Sequence, residues 1–265
     1  MEEIWAGEIE QWQGHIELLR SFDHVFVSSV RSVETLQHHL GVPVSYLPAG
    51  VDALRFCPAG AWPERVVEVC SIGRRSPITH RALRAWARRE QRFYHYDTLA
   101  GPRDVLEPVE HREMLAALIQ RSRYFIANRA RTARTTGSVE PQEIGFRFFE
   151  GSAGGAVLLG EAPRTPEFLR NFDWPDAVIP LAYHAEDAPE RIAELDAQPE
   201  RLERARRANV RNALLRHDWL HRWTRVLALA GLEPLEAFAR RREGLEQQAA
   251  RMAEPSAGLR RVESG

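Results

Sequence analysis

The sequence predicts an α/β protein with a Rossmann-like, doubly wound parallel sheet. Short apolar runs alternate with helical patterns over most of the 265 residues. Strands that are separated by helices of about 10–15 residues are typical of right-handed βαβ units. No internal repeat is visible, and a chain of this length fits one large domain or one domain with extensions.

Each predicted strand is a short apolar run, and each predicted helix shows a helical pattern of apolar residues. In chain order, the strands are His24–Ser29, Val44–Leu47, Val66–Ile72, Arg92–Tyr96, Tyr124–Ala127, Ala156–Leu159 and Val178–Leu181. The helices are Ser32–Leu40, Ile78–Arg89, Glu110–Gln120, Glu150–Gly154, Pro189–Asp196, Pro199–Arg216 and Trp219–Ala230.

Two changes in composition predict the domain boundaries. Residues 48–63 are rich in Pro and Gly, as a linker is, and from about Arg240 the chain turns to Arg, Glu, Gln and Ala. We therefore expect a truncated N-terminal remnant at 1–50, a main domain at 51–235 and a charged helical or disordered tail at 236–265, solvated and fraying at its end. Near the N-terminus, Trp5 and Trp12 predict an amphipathic helix that docks on the main domain.

Composition excludes several classes of function. The net charge is −1, whereas a general nucleic-acid binder has a strong basic excess. All 36 basic residues are arginine, which excludes a Walker P-loop and a pyridoxal Schiff base because both need lysine. Cys57 and Cys70 have no metal or redox spacing, so we expect them to be reduced and structural. No apolar run approaches a membrane span and no signal-peptide pattern is visible, so we expect a cytoplasmic protein.

The segment Gln142–Leu159 is the most informative part of the chain. It places a loop glycine, an acidic residue and a run of small residues directly before a buried apolar strand. We expect Gly145 to adopt φ > 0 and a helix to begin at Glu150, so that the amides of residues 151–153 form an electropositive N-terminus. The Glu150 carboxylate would then accept hydrogen bonds from ribose hydroxyls. The alternatives are a glycine that serves only a tight turn, a carboxylate that caps the helix, and small residues at 151–153 that serve only close helix–strand packing.

Several short motifs follow one another between about residues 20 and 230. They are Phe22–Ser29, Leu47–Asp52 with Phe56–Pro58, Val69–Arg74, the segment Gln142–Leu159, and Asn209–Leu227. Together they resemble the C-terminal, donor-binding half of group 1 glycosyltransferases of the GT-B fold. Glu150 and Gly155 match the second glutamate and the glycine of that family's E-A-x-A-x-G, and Gly145 matches a glycine of its E-G-F-G. The pattern R-x-F-E at residues 147–150 is similar to that of the spore-coat-associated subgroup.

The resemblance implies transfer of a sugar from a nucleoside diphosphate sugar to an unknown acceptor, which is a glycan, a protein or a small molecule. It implies no metal and no cofactor beyond the nucleotide sugar, because arginines and a helix N-terminus stabilise the departing diphosphate. It assigns no catalytic residue. The residues that it places at the sugar donor are Gly73, Arg74, Arg75, Arg81, Gln142, Gly145, Glu150, Gly151, Ser152 and Ala153.

The chain departs from the family pattern in three ways. Gln142 stands eight positions before Glu150, where the family has its first glutamate. The family's phosphate-binding lysine is absent, so that Arg75 or Arg81 would take its place. Only about 50 residues precede the linker, so we expect the chain to be either a fragment of a two-domain protein or a naturally shortened form whose acceptor side a partner chain could supply.

These departures leave two further interpretations open. One is a non-catalytic module, or a partner subunit, that binds a nucleotide sugar without turning it over. The other is an unrelated doubly wound enzyme that acts on a phosphorylated ligand. Sugar transfer would support a glycosyltransferase, and binding of a nucleotide sugar without transfer would support the module. A failure to bind nucleoside diphosphates would favour the unrelated enzyme.

Two groups of side chains are open to more than one interpretation. Arg147 lies among apolar residues and either faces the cleft, where it finds a partner, or points outward. His217 and His221 share a helix face, but a zinc site needs a third ligand and the glutamate of H-E-x-x-H, which is absent. We expect these histidines to form a packing and capping cluster with Trp219 and Trp223.

Overall fold

A computed structural model describes residues 13–97, 107–130 and 142–253 of the chain. It divides the chain into two compact units, Met1–Ala49 and Gly50–Gly265. The helix predicted around Trp5 and Trp12 and the tail beyond residue 253 lie outside the described residues. Among the described helices, none combines the length and the apolar character that crossing a membrane requires.

The smaller unit contains one parallel βαβ arrangement. Its described elements are α1 (Gln13–Leu19), β1 (Val25–Val27), α2 (Arg31–Leu40) and β2 (Val44–Tyr46). Val25 pairs with Val44 in parallel, and both pack against Leu36 of α2 in one apolar cluster. The helix between the strands supplies the crossover that a parallel pair needs.

The larger unit is built on a five-stranded parallel sheet. The strand order is β4-β3-β5-β6-β7, and this flanked parallel sheet confirms the predicted Rossmann-like α/β fold. The elements are α3 (Ala53–Phe56), β3 (Val67–Ser71), α4 (Pro77–Arg89), β4 (Tyr94–Tyr96), α5 (Pro108–Gln120), β5 (Ser122–Ile126), α6 (Phe146–Gly154), β6 (Val157–Gly160), α7 (Pro166–Asn171), β7 (Ile179–Pro180), α8 (Ala188–Asp196), α9 (Pro199–Asn212), a π-helical turn (Ala213–His217), α10 (Trp219–Leu229) and α11 (Glu236–Ala253).

The central strands of this sheet are covered on both faces, as a parallel sheet requires. On one face, Leu83 of α4 and Ile192 of α8 join the strands in the main apolar cluster. On the other face, α6 approaches the sheet so closely that a β-carbon at Gly151 would lie 2.4 Å from Leu158 Cδ2. Small residues in α6 therefore allow close helix–sheet packing, which was one of the two roles that the sequence left open for them.

The start of α6 corrects one expectation. The helix begins at Phe146 rather than at Glu150, and its N-cap Gly145 has φ −69° and ψ 150°, so the expected positive φ at Gly145 is wrong. The apolar run before Glu150 has the character of a strand, but Phe148 and Phe149 are both fully buried and contact Phe172. Packing on both sides of the helix outweighs the local preference of such a run for extended structure.

The C-terminal helix α11 also differs from the solvated tail that the composition predicts. Leu245, Ala249 and Met252 form a buried face of this helix, and Gln248 Nε2 donates to the carbonyl of Pro58 at 2.7 Å. The tail is rich in charged residues, but it also carries an apolar stripe at helical spacing that its overall composition does not reveal. The part of the tail up to residue 253 therefore packs within the larger unit.

Candidate functional site

The strand order creates a crevice at the carboxyl edge of the sheet. After β3 the chain passes to β4 on one side, whereas β5 lies on the other side of β3. Loops that leave the two sides of such a switch point diverge, and doubly wound proteins bind ligands there. Ser71, the last residue of β3, and Asn128, which follows β5, line this crevice together with Tyr183, which follows β7. Its cavity volume is about 10 Å³, which is room for about one water molecule.

The loop after β3 turns at Gly73, which has φ +84°. A residue with a β-carbon is strained in this conformation. The amide of Gly73 donates to Asp97 Oδ2 at 2.9 Å, and Arg75 donates to Asp97 Oδ1 at 2.6 Å. The Arg75 guanidinium also lies over the ring of Tyr96, 5.3 Å from its centroid. Asp97, directly after β4, thus fixes both the glycine turn and the nearest arginine.

Arg147 approaches the Gly73 turn from the α6 side. It is the second residue of α6, and its Nε and Nη2 lie 3.9 Å from the position that a β-carbon on Gly73 would occupy. Its Nη1 donates to Glu150 one turn along the helix. The sequence left open whether Arg147 faces the cleft or points outward. The structure shows that it faces the cleft.

Glu150 is the buried anion behind this arginine. The residue is 2 % exposed, and its two carboxylate oxygens accept hydrogen bonds from Arg112 and Arg147 respectively. A carboxylate is retained at such a site only when its charge is paired and its oxygens are hydrogen-bonded. Arg112 lies in turn over the ring of Phe56, 4.9 Å from its centroid. Glu150 therefore orients two arginines beside the crevice.

Of the helices that begin at this edge of the sheet, α4 and α6 follow the two strands at the switch point; α4 has a side-chain cap and α6 does not. In α4, the N-cap Ser76 accepts hydrogen bonds from the amides of Ile78 and Thr79, and Pro77 has no N–H. In α6, the N-cap Gly145 has no side chain to cap the first turn. A β-carbon on Gly145 would lie 3.4 Å from the carbonyl oxygen of Asn128, so the α6 N-terminus lies next to the crevice. The helix dipole and the open amides favour an anion there.

Comparison with known proteins decides the family. A family model described as glycosyl transferase-like matches residues 56–228. The chain belongs to this glycosyl transferase-like family. The matched range contains the whole sheet of the larger unit and every crevice residue named above, and it supports a general role in glycosyl transfer. No curated protein matches the chain.

The structure brings some of the predicted donor residues of this glycosyl transferase-like domain together and separates others. Arg75 lines the crevice, Gly145 lies next to Asn128 of its lining, and Gly73 and Glu150 are connected through Arg147. Arg74 is exposed beside them and forms no hydrogen bond or ion pair with any described residue. Arg81 is also exposed, but it lies on the second turn of α4 and is not among the residues that line the crevice.

The predicted role of Gly151, Ser152 and Ala153 is wrong in its geometry. These residues lie inside α6 and are buried, so their amides are not a helix N-terminus. The anion-binding amides of the same helix would instead be those that follow Gly145. The reason is the earlier start of α6, which places the small residues against the sheet instead of against a phosphate.

Gln142 is engaged with a neighbouring loop. Its Oε1 accepts a hydrogen bond from the amide of Arg164 at 2.9 Å. The carboxylate that the family pattern places at this position would accept the same bond, but the amide supplies no charge to the site.

Sequence reasoning did not single out Asp97 and Arg112. Asp97 could have been found, because it is a carboxylate directly after a predicted strand, at the edge of the sheet where ligands bind. Arg112 gave no such signal, since it is separated from Glu150 by 38 residues and lies in a chain in which all 36 basic residues are arginine.

His217 serves packing, as the sequence predicts, but the predicted partner Trp223 is exposed instead of belonging to the cluster. His217 is 1 % exposed and contacts the rings of Phe149, Phe172 and Trp174. Burial, with Arg222 and Arg216 nearby, lowers the pKa of His217 to about 3, so the ring is neutral. Asp218 caps α10 by accepting from the amide of Leu220 at 2.9 Å.

No group of three or more His, Cys, Asp or Glu residues within the described ranges could hold a metal ion. Cys57 and Cys70 are both buried and free, which agrees with their predicted structural role. Burial raises the pKa of Cys57 to about 11 and that of Cys70 to about 12. Both thiols are therefore protonated and poor nucleophiles at neutral pH.

Proposed function

We propose that this protein transfers a sugar from a nucleoside diphosphate sugar, and that it holds the diphosphate between Arg147, the N-terminus of α6 and the Gly73 turn. The observation that carries the proposal is the position of the Arg147 guanidinium, 3.9 Å from the place of a Gly73 β-carbon at the switch point of a parallel sheet. A cation, a glycine turn and uncapped helix amides there match the needs of a diphosphate.

The chemistry that these groups support is stabilisation of the leaving group. When the sugar departs, negative charge develops on the terminal phosphate of the nucleoside diphosphate. Guanidinium groups stay charged and bind phosphate oxygens through two parallel hydrogen bonds. Fixed cations and helix amides lower the barrier most when they are oriented before the reaction. Arg147 meets that condition because Glu150 holds it from behind.

Arg75 is the second cation in this proposal, and Arg74 is a third. Arg75 is bound to Asp97 and stacked on Tyr96, so it is fixed at the rim of the crevice. In this proposal a diphosphate accepts a hydrogen bond from Arg75 while Asp97 keeps the turn in place through the amide of Gly73. Arg74 is exposed on the same loop, where a ligand at the turn could reach it.

The ribose contact predicted for Glu150 stays a prediction. Each of its oxygens already accepts from one arginine, and each carboxylate oxygen retains a further lone pair for a hydroxyl. The GT-B architecture, the subgroup and the reaction without a metal likewise remain proposals that rest on the resemblance. The acceptor and any partner chain that binds it are open.

A second candidate function is a module that binds a nucleotide sugar without turning it over. Gln142 supports it, because this side chain stands where the family pattern has a glutamate and its oxygen is committed to the amide of Arg164. If the missing charge normally stabilises the transition state, its loss weakens catalysis more than binding.

The two functions are separated by one assay of the purified chain. The uridine, guanosine, adenosine and thymidine diphosphate conjugates of glucose are incubated with the protein, and the release of nucleoside diphosphate is followed with and without a mixture of simple acceptors. Release that is lost on Arg147→Ala supports the transferase. If calorimetry shows that one conjugate binds but no nucleoside diphosphate is released, the result supports the module. The Gln142→Glu variant is then expected to release nucleoside diphosphate faster than the unaltered protein. Neither binding nor release with any conjugate contradicts both.

A further inference from the structure

His184 is an exposed residue beside the crevice, and hydrogen bonds fix the backbone on both sides of it. It lies after β7, and its neighbours on both sides are bound to α4 through one side chain. Thr79 Oγ1 donates to the carbonyl of Tyr183 at 2.7 Å and accepts from the amide of Ala185 at 2.9 Å. In addition, the amide of Tyr183 donates to Glu161 Oε2 at 3.1 Å. The backbone at His184 is thus fixed at the first turn of α4, next to Arg75.

The His184 ring is fixed by a buried hydroxyl. Ser76 is 3 % exposed, and its Oγ lies 2.8 Å from His184 Nδ1. The same Oγ accepts from the amides of Ile78 and Thr79, each at 3.2 Å. The ring of His184 also packs against that of Tyr183, with centroids 4.8 Å apart. Both Ser76 and Tyr183 line the crevice, so His184 lies directly beside it.

The hydrogen bonds at Ser76 determine which ring nitrogen carries the proton. A serine hydroxyl has one proton and two lone pairs. The two amides of α4 use the lone pairs, so the hydroxyl proton points to Nδ1 of His184, and Nδ1 acts as the acceptor. In the neutral ring the proton therefore resides on Nε2. Among the described residues Nε2 has no partner, and the residue is exposed.

Neighbouring residues orient the His184 ring and leave its Nε2–H without a protein partner beside the crevice. Ligand-binding side chains are held in this way by the residues around them. We propose that His184 is a further binding residue of this site and that its Nε2–H donates to an oxygen of the bound nucleotide sugar, either of the diphosphate or of the sugar. Ser76 is the positioning residue that selects the tautomer. This inference rests on the proposed function.

The test measures affinity by calorimetry for the nucleoside diphosphate and for its glucose conjugate, with the base that binds best. Loss of one neutral hydrogen bond in His184→Ala is expected to weaken binding about 2- to 12-fold. His184→Gln keeps an N–H near the position of Nε2 and is expected to recover most of the affinity. His38→Ala, an exposed histidine of the smaller unit, is the matched control and should bind as the unaltered protein does.

The two ligands distinguish the oxygen that is recognised. An equal loss for both ligands assigns the contact to the diphosphate, and a loss confined to the glucose conjugate assigns it to the sugar. Nitrogen-15 spectra of histidine-labelled protein provide a readout that a merely structural residue would not change. We expect an unprotonated Nδ1 and a protonated Nε2 whose resonance shifts on adding the conjugate, and Ser76→Ala should mix the two tautomers.

Three results overturn parts of this account separately. If the unaltered protein binds a conjugate and His184→Ala binds it equally well, the inference about His184 is wrong and the proposed function stands. If His184→Ala lowers only the melting temperature, the bond to Ser76 is structural and the inference is again wrong. If the unaltered protein binds none of the ligands, the proposed function fails and the role of His184 fails with it.

Discussion

Arg147 and Gly73 face each other at the carboxyl edge of the sheet, with two guanidinium nitrogens 3.9 Å from the position of a β-carbon on the glycine. The two residues come from opposite sides of the strand-order switch, since Gly73 follows β3 and Arg147 lies in the helix that comes after β5. The glycine keeps the turn open for a ligand, and the arginine supplies its charge. Most of the following predictions test this pair or the groups that hold it.

Replacement of Gly73 should be limited by its backbone conformation and not by the space around it. With φ +84°, a β-carbon introduced by Gly73→Ala is strained by about 1–2 kcal/mol, and the turn is expected to shift away from Arg147. We expect a loss of nucleotide-sugar affinity that exceeds the loss of stability, measured by calorimetry and by urea unfolding. Gly60→Ala is the control, because Gly60 is exposed with nothing within 4 Å of its β-carbon position. Equal affinity for the two variants would contradict a role of the turn in binding.

Removing the buried carboxylate should loosen both arginines. Glu150→Ala leaves Arg112 and Arg147 without their shared partner, and we expect a cost of about 1–3 kcal/mol in the free energy of unfolding. Because both arginines are partly exposed, water replaces part of the lost interaction. Urea unfolding of Glu150→Ala, Arg112→Ala and the double variant forms a cycle. Strictly additive changes in the free energy of unfolding would show that the contact between Glu150 and Arg112 does not stabilise the fold.

The strands and most helices could be predicted from sequence because their signals are local. Apolar runs marked every strand, and helical patterns marked α4, α5 and α10 to within a few residues. The start of α6 could not be predicted in this way. Phe148 and Phe149 are adjacent and both fully buried, which a helix allows only when tertiary packing covers it on both sides.

Part of the site was also predictable from the sequence, because some of its residues belong to local motifs. Glu150 and Gly73 stand in motifs that carry their own signal. The partnership of Glu150 with Arg112 and the closure of the Gly73 turn by Asp97 depend on strand order. Contacts of this kind join residues that are distant in sequence, and a single chain offers no local pattern from which to infer them.

Two glycines in the same segment should differ in how strongly their replacement by alanine destabilises the protein. Gly151→Ala places a β-carbon 2.4 Å from Leu158 Cδ2 and 2.7 Å from Phe125 Cδ1, and overpacking of this kind costs about 1–3 kcal/mol. Gly145→Ala meets only ordinary contacts at φ −69°, and we expect a cost of less than about 1 kcal/mol. Thermal and urea unfolding measure both. The reverse order of stabilities would show that α6 starts nearer to Glu150.

The buried His217 should make stability depend on pH. Its pKa is lowered from 6.5 to about 3 in the folded protein, so between these values the unfolded chain binds more protons than the folded chain does. Stability from this residue is therefore present above about pH 6.5 and falls as pH decreases toward 3, by about 1.4 kcal/mol per pH unit.

The comparison of His217→Phe with the unaltered protein isolates this effect. Both are unfolded in urea at pH 7 and pH 5, where the unaltered protein is expected to lose about 2 kcal/mol more than the variant. Phenylalanine keeps an aromatic ring in the cluster with Phe149 and Phe172 but does not titrate. Parallel losses in the two proteins would show that His217 is not held neutral by burial.

The most direct test of the central claim is the affinity of Arg147→Ala for a nucleoside diphosphate sugar, measured by calorimetry. Loss of a charged hydrogen-bond donor to phosphate should weaken binding by about 1.5–3 kcal/mol, or about 10- to 150-fold. Arg147→Lys should recover only part of it because lysine binds as a point charge. Arg88→Ala, an exposed arginine at the far end of α4, should bind as the unaltered protein does. Undiminished affinity of Arg147→Ala would contradict the proposed site.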